Sequence, residues 1–112
     1  MTANAFRKIA LSLPNTIESA HMGHPDFRVG GRIFATLSAD GVWGVVMLPP
    51  EEQDVLVSAE PEIFEPAAGA WGRSGSTKVR LAKADKTTMK SALLAAHRNI
   101  LAKATGKKSR KR

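Results

Sequence analysis

The chain of 112 residues contains no cysteine, no tyrosine and only six other aromatic residues, four Phe and two Trp. Without cysteine there is no disulfide framework, no thiolate metal site and no cysteine nucleophile. The longest apolar runs, such as residues 45–49, are far shorter than the roughly 20 residues needed to cross a bilayer. The N-terminus also lacks the pattern of a secretory signal. We therefore expect a cytoplasmic protein with one hydrophobic core and no membrane contact.

Acidic residues are nearly missing from the second part of the chain. Residues 73–112 contain 13 basic side chains and one acidic one, whereas residues 1–72 contain four basic and nine acidic ones. The last ten residues hold six of the basic side chains, and without them the net charge of +7 would be +1. We expect a single domain over residues 1–102 and a basic, disordered tail over residues 103–112. Such a tail attracts nucleic-acid phosphates, although it could equally serve solubility or complement the end of a helix.

Hydrophobic spacing, turn residues and helix breakers predict three helices and four strands. Their order predicts an α+β fold, a two-layer sandwich in which the N- and C-terminal helices cover one face of an antiparallel sheet. The predicted helices span residues 3–13, 50–58 and 85–105, the strands span 26–29, 32–37, 42–48 and 77–81, and a glycine-rich loop spans 67–76.

Local residue patterns add detail to these elements. Gly30-Gly31 supplies the positive φ angles of a two-residue hairpin turn, and Pro25 argues against a regular central strand before that hairpin. In the strand after the turn, Ile33, Ala35 and Leu37 are expected to share one face. The last helix has its apolar stripe at Met89, Leu93, Ala96 and Ile100, and Lys86, Lys90 and His97 are expected to form a basic row along its edge.

The hairpin segment also carries a family pattern. Residues 24–35 read His-Pro-Asp-Phe-Arg-Val-Gly-Gly-Arg-Ile-Phe-Ala, preceded by Leu13-Pro14 and followed by a Trp-Gly loop. Over residues 5–102 this sequence resembles the MmcQ/YjbR family. The resemblance implies a fold like that of CyaY and frataxin and a predicted DNA-binding role with a double-wing arrangement. Family members often have an aromatic residue after the Trp-Gly loop, where this chain has Ser76.

Motifs for catalysis or metal binding are weak in this sequence. Glu18, His21 and His24 have the residue types of a metal site, but Gly23 and Pro25 break the geometry that would align them. No serine lies in a nucleophile elbow, and Glu51-Glu52 are typical of a helix start. We predict no enzymatic activity, no cofactor and no metal. Trp71 is expected to pack a loop against the core, which leaves few aromatic residues for base stacking.

Our leading hypothesis is a non-enzymatic protein that binds nucleic-acid phosphates with low sequence specificity, through a basic hairpin and the C-terminal region. The alternative is a small-ligand or protein-binding domain with a cleft that includes His24 and Trp71, in which the tail has no role. The oligomeric state is not predicted. The candidate nucleic-acid contacts are Arg28, Arg32, Arg73, Lys78, Arg80, Lys86, Lys90, Lys107, Lys108 and Arg110.

Overall fold

Six antiparallel strands form a sheet in the order β1-β2-β3-β4-β6-β5 in the computed structural model, which describes residues 1–109 and the side chains of residues 1–105. The first four strands form a meander, and β6 lies between β4 and the edge strand β5. The strands are β1 Ile17–His21, β2 His24–Val29, β3 Arg32–Leu37, β4 Trp43–Met47, β5 Phe64–Pro66 and β6 Ser76–Arg80.

Four α-helices and a short 3-10 turn at Leu81–Lys83 complete the fold: α1 Ala3–Ser12, α2 Pro50–Ala59, α3 Gly69–Arg73 and α4 Lys86–Ser109. The predicted α+β class is confirmed. Thr2 caps α1 by accepting a hydrogen bond from the Ala5 N–H at 3.0 Å, and Asp85 Oδ1 accepts one from the Thr88 N–H at 2.7 Å where α4 begins. None of the helices within residues 1–109 has the length and apolar character of a bilayer-spanning segment.

The hydrophobic core lies between the sheet and helices α1 and α4. Phe6 of α1 is fully buried, and its ring centroid lies 5.9 Å from that of Phe27 on β2. Gly44 on β4 leaves the space that Phe6 occupies, because a Cβ atom there would lie 2.5 Å from the Phe6 ring. From α4, Met89, Leu93 and Ala96 are fully buried in the same core. We call this side of the sheet the core face and the opposite side the outer face.

The sequence reasoning missed an N-terminal hairpin. Residues 17–29 form β1 and β2 around a Met22-Gly23 turn, with His21 paired to His24. Pro25 lies within β2, contrary to the expectation that it would exclude a strand. Pairing between β2 and β3 begins at Asp26, so Pro25 pairs only with β1, at Ala20. A proline is tolerated where a strand is paired on one side.

A β-bulge in β3 changes which face Ile33 occupies. Phe27 pairs with Ala35, but Arg28 pairs with Ile33, so Phe34 is the extra residue. Ile33 therefore lies on the outer face with Arg28, and the prediction that it shares a face with Ala35 and Leu37 is wrong. The bulge lets both Phe34 and Ala35 be buried, at 0% exposure each.

Two further expectations are corrected at the C-terminal side of the chain. The glycine-rich loop at 67–76 contains the short helix α3, and α4 extends to Ser109 rather than ending near Thr105. His97 does not join a basic row, because it is 5% exposed and its Nε2–H donates to the Pro14 carbonyl at 2.8 Å. Residues 103–109 of the predicted tail are thus helical, the domain limit at residue 102 remains a prediction, and residues 110–112 lie outside the described residues.

Candidate functional site

A cleft of about 610 Å³ lies on the outer face of the sheet. Its volume is within the range of small-molecule sites in proteins. The central strands β3 and β4 contribute its floor, and the sheet order places β1 and the α3 segment on opposite sides of that floor. The C-terminal half of α4 lines it as well, where Asn99 Nδ2 donates to the Met47 carbonyl at 2.9 Å. The lining residues used below are His21, Ile33, Thr36, Val45, Met47, Trp71, Ser76, Asn99 and Lys103.

Trp71 on α3 is the most conspicuous of these residues, because 74% of its surface is exposed. The prediction that it packs against the core is wrong. The backbone that follows it is nevertheless tightly packed. A Cβ atom at Gly72 would lie 1.8 Å from the Ala67 carbonyl oxygen, and one at Gly75 would lie 1.8 Å from the Leu48 carbonyl oxygen. Only glycine allows these close backbone approaches.

Gln53 of α2 holds the same segment from within. It is 5% exposed, and its Nε2 lies 3.0 Å from the carbonyl oxygens of Gly72 and Ser76 and 3.1 Å from Thr77 Oγ1. The amide has two protons, so it can donate to two of these acceptors at a time. A buried side chain thus anchors the backbone that presents Trp71, and the exposed indole is held on a rigid support.

A cluster of three side chains lies on the other side of the cleft. The Asp26 carboxylate has no exposed surface, and it accepts two hydrogen bonds from Arg28, at 2.8 and 3.1 Å. His21 Nδ1 lies 2.8 Å from the same carboxylate. Hydrogen bonds from Arg28 lower the pKa of Asp26, burial opposes this, and His21 lowers it further. An ionised carboxylate only accepts, so His21 Nδ1 carries the proton and Nε2 is left for other partners.

The second tryptophan, Trp43, also lies on the outer face, but its ring is in contact with two cations. Lys78 Nζ lies 4.1 Å from its ring centroid and the Arg80 guanidinium 4.5 Å from it. Both cations also lie near Glu65, at 3.6 and 3.8 Å. Cation–π contacts thus occupy the Trp43 ring, while the described residues place no cation over Trp71.

Comparison with known proteins agrees with this architecture. The sequence profile of the YjbR family matches residues 11–99. The chain belongs to the YjbR family. A crystal structure of the Deinococcus radiodurans protein DR2400, with a DUF419 family domain, superposes with a TM-score of 0.75 at 19% identity and covers 94% of this chain and 80% of that one. This similarity shows a shared fold. A comparison with curated proteins found no match.

Within this YjbR fold, the predicted phosphate contacts on α4 lie at its two ends. Lys86 and Lys90 are exposed in its first turns. Lys103 lies 17 residues after Lys86, which corresponds to about 25 Å along the helix. At that far end Gly30 of the hairpin turn packs against Ala104, since a Cβ atom at Gly30 would lie 2.9 Å from the Ala104 Cβ. The hairpin turn and the end of α4 are therefore neighbours.

Three exposed cations lie around this end of the YjbR domain, and we call them the basic rim: Arg32, Arg73 and Lys103. Arg32 follows the hairpin turn, Arg73 ends α3, and Lys103 lines the cleft. Within the described side chains, none of the three takes part in an ion pair, whereas Arg28, Lys78 and Arg80 all do. Lys107 and Lys108 continue α4, but their side chains lie outside those described, and Arg110 lies outside the described residues.

The structure does not bring together all the residues of the predicted alternative cleft, nor all those with the residue types of a metal site. Trp71 lines the cleft, together with His21 rather than His24. Glu18 lies in β1 three residues before His21 and pairs with Arg7 of α1 at 3.0 Å, on the core face. Glu18 and His21 therefore lie on opposite faces of the strand.

Sequence reasoning missed the two features that define the cleft. Asp26 and His21 meet because β1 and β2 pair, and that hairpin was not predicted. Trp71 is exposed on a segment in which Gly72 and Gly75 approach two carbonyl oxygens, and these contacts were not predicted either. The glycines that follow Trp71 were a signal of close backbone approach, although they do not indicate whether the indole is buried or exposed.

Proposed function

We propose that this YjbR-family chain is a non-enzymatic nucleic-acid-binding protein, which contacts phosphates with little sequence readout. The observation that carries the proposal is the packing of the Gly30-Gly31 turn against Ala104. This packing brings Arg32 to the end of α4 where Lys103 lies, beside the most basic part of the chain. Cations that have no acidic partner are the ones available to replace counterions on a phosphate backbone.

Under this proposal, the predicted cations do not contribute equally to phosphate binding. Arg28 is engaged by Asp26, and Lys78 and Arg80 by Glu65 and Trp43, so these cations are partly neutralised within the protein. The basic rim is not neutralised in this way. Lys107 and Lys108 follow Lys103 by four and five residues in the same helix, so the sequence adds two more basic residues just beyond the rim.

The test is a salt titration of binding, followed by fluorescence anisotropy of labelled duplex and single-stranded DNA and RNA. One variant carries Arg32→Gln, Arg73→Gln and Lys103→Gln. Its control carries Lys83→Gln, Lys86→Gln and Lys90→Gln, which removes the same charge around the opposite end of α4. Substitution is preferred to truncation after residue 102, because truncation would remove Ala104 and its packing against Gly30.

The full chain should bind all of these nucleic acids, with an affinity that falls steeply as salt rises. The rim variant should reduce the slope of log affinity against log salt by about 0.9 for each duplex phosphate that it no longer neutralises. The control variant should change the slope much less. The proposal fails if the full chain binds nothing at low salt, or if the two variants weaken binding equally, since binding would then follow net charge alone.

A further inference from the structure

We infer that the outer-face cleft holds an unpaired nucleotide, with its base stacked on Trp71 and its phosphate near the basic rim. The inference deepens the proposed function and rests on it for the source of the ligand, a single strand. The ligand chemistry itself, a planar heterocycle that carries a phosphate, also occurs in free nucleotides. The experiment below separates these two sources.

The first support is the exposed indole. Trp71 contributes little to the core at 74% exposure, yet Gln53 and two close glycine contacts hold its backbone in place. A large aromatic ring on a rigid support gives a stacking partner little conformational freedom to lose on binding. Bases stack on such rings whatever their sequence, because every base has a π-face.

The second support is the distribution of polar groups around an apolar interior. Ile33, Val45 and Met47 contribute apolar surface to the cleft. Lys103 lines it too, at the end where the basic rim gathers, so one part of the cleft is positively charged. A ligand that matches this distribution has a flat, weakly polar body and an anionic group on one side, as a nucleotide does.

The third support is the His21–Asp26 pair. Asp26 fixes His21 through Nδ1, so Nε2 is the nitrogen left to face a ligand in the cleft that His21 lines. In neutral His21 this atom accepts a hydrogen bond, for example from the exocyclic amino group of a base. With Thr36 and Asn99 also in the lining, the cleft has polar groups for a base edge without a motif that selects one base.

An unpaired base reaches this cleft and a paired base does not. Bases in a duplex are stacked on their neighbours, and extruding one costs a few kcal/mol. The cleft therefore favours single strands over duplexes of the same length. The basic rim alone would give a smaller preference, because it contacts phosphates, which both kinds of nucleic acid have.

The experiment compares four proteins, the full chain and its Trp71→Ala, Trp71→Phe and Val55→Ala variants. Val55 is a matched control, because it is an exposed apolar residue on α2, away from the cleft. Each protein is titrated with a single-stranded oligonucleotide and a duplex of equal length by anisotropy, and with a nucleoside monophosphate by calorimetry. Thermal unfolding of each variant verifies that it is folded.

The full chain should prefer the single strand, and Trp71→Ala should lower single-strand affinity by about 5- to 150-fold, the usual range for one stacked base. Duplex affinity should change much less. Trp71→Phe should restore part of the loss, and Val55→Ala should have no effect. If only the monophosphate binds, and does so through Trp71, the cleft takes a free nucleotide and the proposed function fails while the site stands.

Other results overturn the inference. If strands bind and respond to the basic rim but Trp71→Ala changes nothing, the proposed function survives and the cleft holds no base. If no protein binds a strand, a duplex or a monophosphate, both the inference and the proposed function fail.

Discussion

The two faces of the sheet differ in how their residues are stabilised. On the core face, Phe6, Phe27 and Phe34 are fully buried by α1 and α4. On the outer face, side chains pair with one another instead, as Asp26 does with Arg28 and Lys78 does with Trp43. The core face is thus built for stability. The outer face has an exposed Trp71 beside a cleft, and such clefts are typical of ligand-binding surfaces.

The largest expected effect lies on the core face. Phe27→Ala should lower the free energy of unfolding by about 3–5 kcal/mol, because it removes a fully buried ring and leaves a cavity against Phe6. Urea unfolding followed by circular dichroism measures this. A loss below about 1 kcal/mol would mean that this face is not the packed core described above.

The support of the cleft should be the next most sensitive part. Gly72→Ala should destabilise the protein by roughly 1–3 kcal/mol, because the added Cβ atom meets the Ala67 carbonyl oxygen and the backbone must move. Gly31→Ala is a useful comparison, since a Cβ atom there meets nothing within 4 Å and only its φ of +79° opposes the substitution. If Gly72→Ala costs no more than Gly31→Ala, the segment that presents Trp71 is not rigidly held.

The polar cluster on the outer face predicts a pH dependence. The pKa of Asp26 is lowered from its ordinary value of 3.8, so its ionised form stabilises the fold above that pH, and this stability is lost as pH falls through the lowered pKa. At neutral pH Asp26→Asn should be less stable by about 1–2 kcal/mol, because Arg28 and His21 lose a charged partner. The difference from the unchanged protein should shrink below about pH 4.

Urea unfolding over a pH series measures this difference. Asp54→Asn provides the control, because Asp54 is an exposed carboxylate on α2 and none of the ion pairs among the described side chains includes it. A gap between the unchanged protein and Asp26→Asn that stays constant from pH 7 to pH 3 would contradict the described role of the carboxylate charge.

The smallest expected effect belongs to the most prominent outer-face side chain. Trp71→Ala should change the free energy of unfolding by no more than about 0.5 kcal/mol, because the indole is largely exposed. Thermal and urea unfolding of the variant beside the unchanged chain measure this. A loss above about 1.5 kcal/mol would mean that Trp71 is part of the folded structure rather than held out for a ligand.

The contrast between the core face and the outer face also explains which features could be predicted from the sequence. Alternating and helical spacing predicts burial, so the hairpin at Gly30-Gly31, α1, α2, α4 and β6 are where their patterns place them, within a few residues. The features that failed depend on contacts that are distant in sequence. β1 has no buried residue to mark it, and Pro25 argued against the strand that pairs with it. The β3 bulge that moves Ile33 to the outer face leaves no signal in the alternation of residues 32–37.

The candidate site was less predictable than the fold for a related reason. Charge patterns indicated which residues are basic, but ion pairs decide which of them remain available, and Arg28 is engaged by a carboxylate two residues away. Trp71 looked like a core residue because most tryptophans are largely buried. The backbone that presents it is held by Gly72, Gly75 and Gln53 together, and Gln53 precedes Trp71 by 18 residues.

The central claim, that the outer-face cleft holds a base on Trp71, is tested most directly by two-dimensional NMR of the indole N–H groups. The chain has two tryptophans and therefore gives two such signals, which Trp71→Phe assigns. On addition of a short single-stranded oligonucleotide, the Trp71 signal should shift strongly, while that of Trp43, already covered by Lys78 and Arg80, should move little. A strand that binds without moving the Trp71 signal would contradict the account.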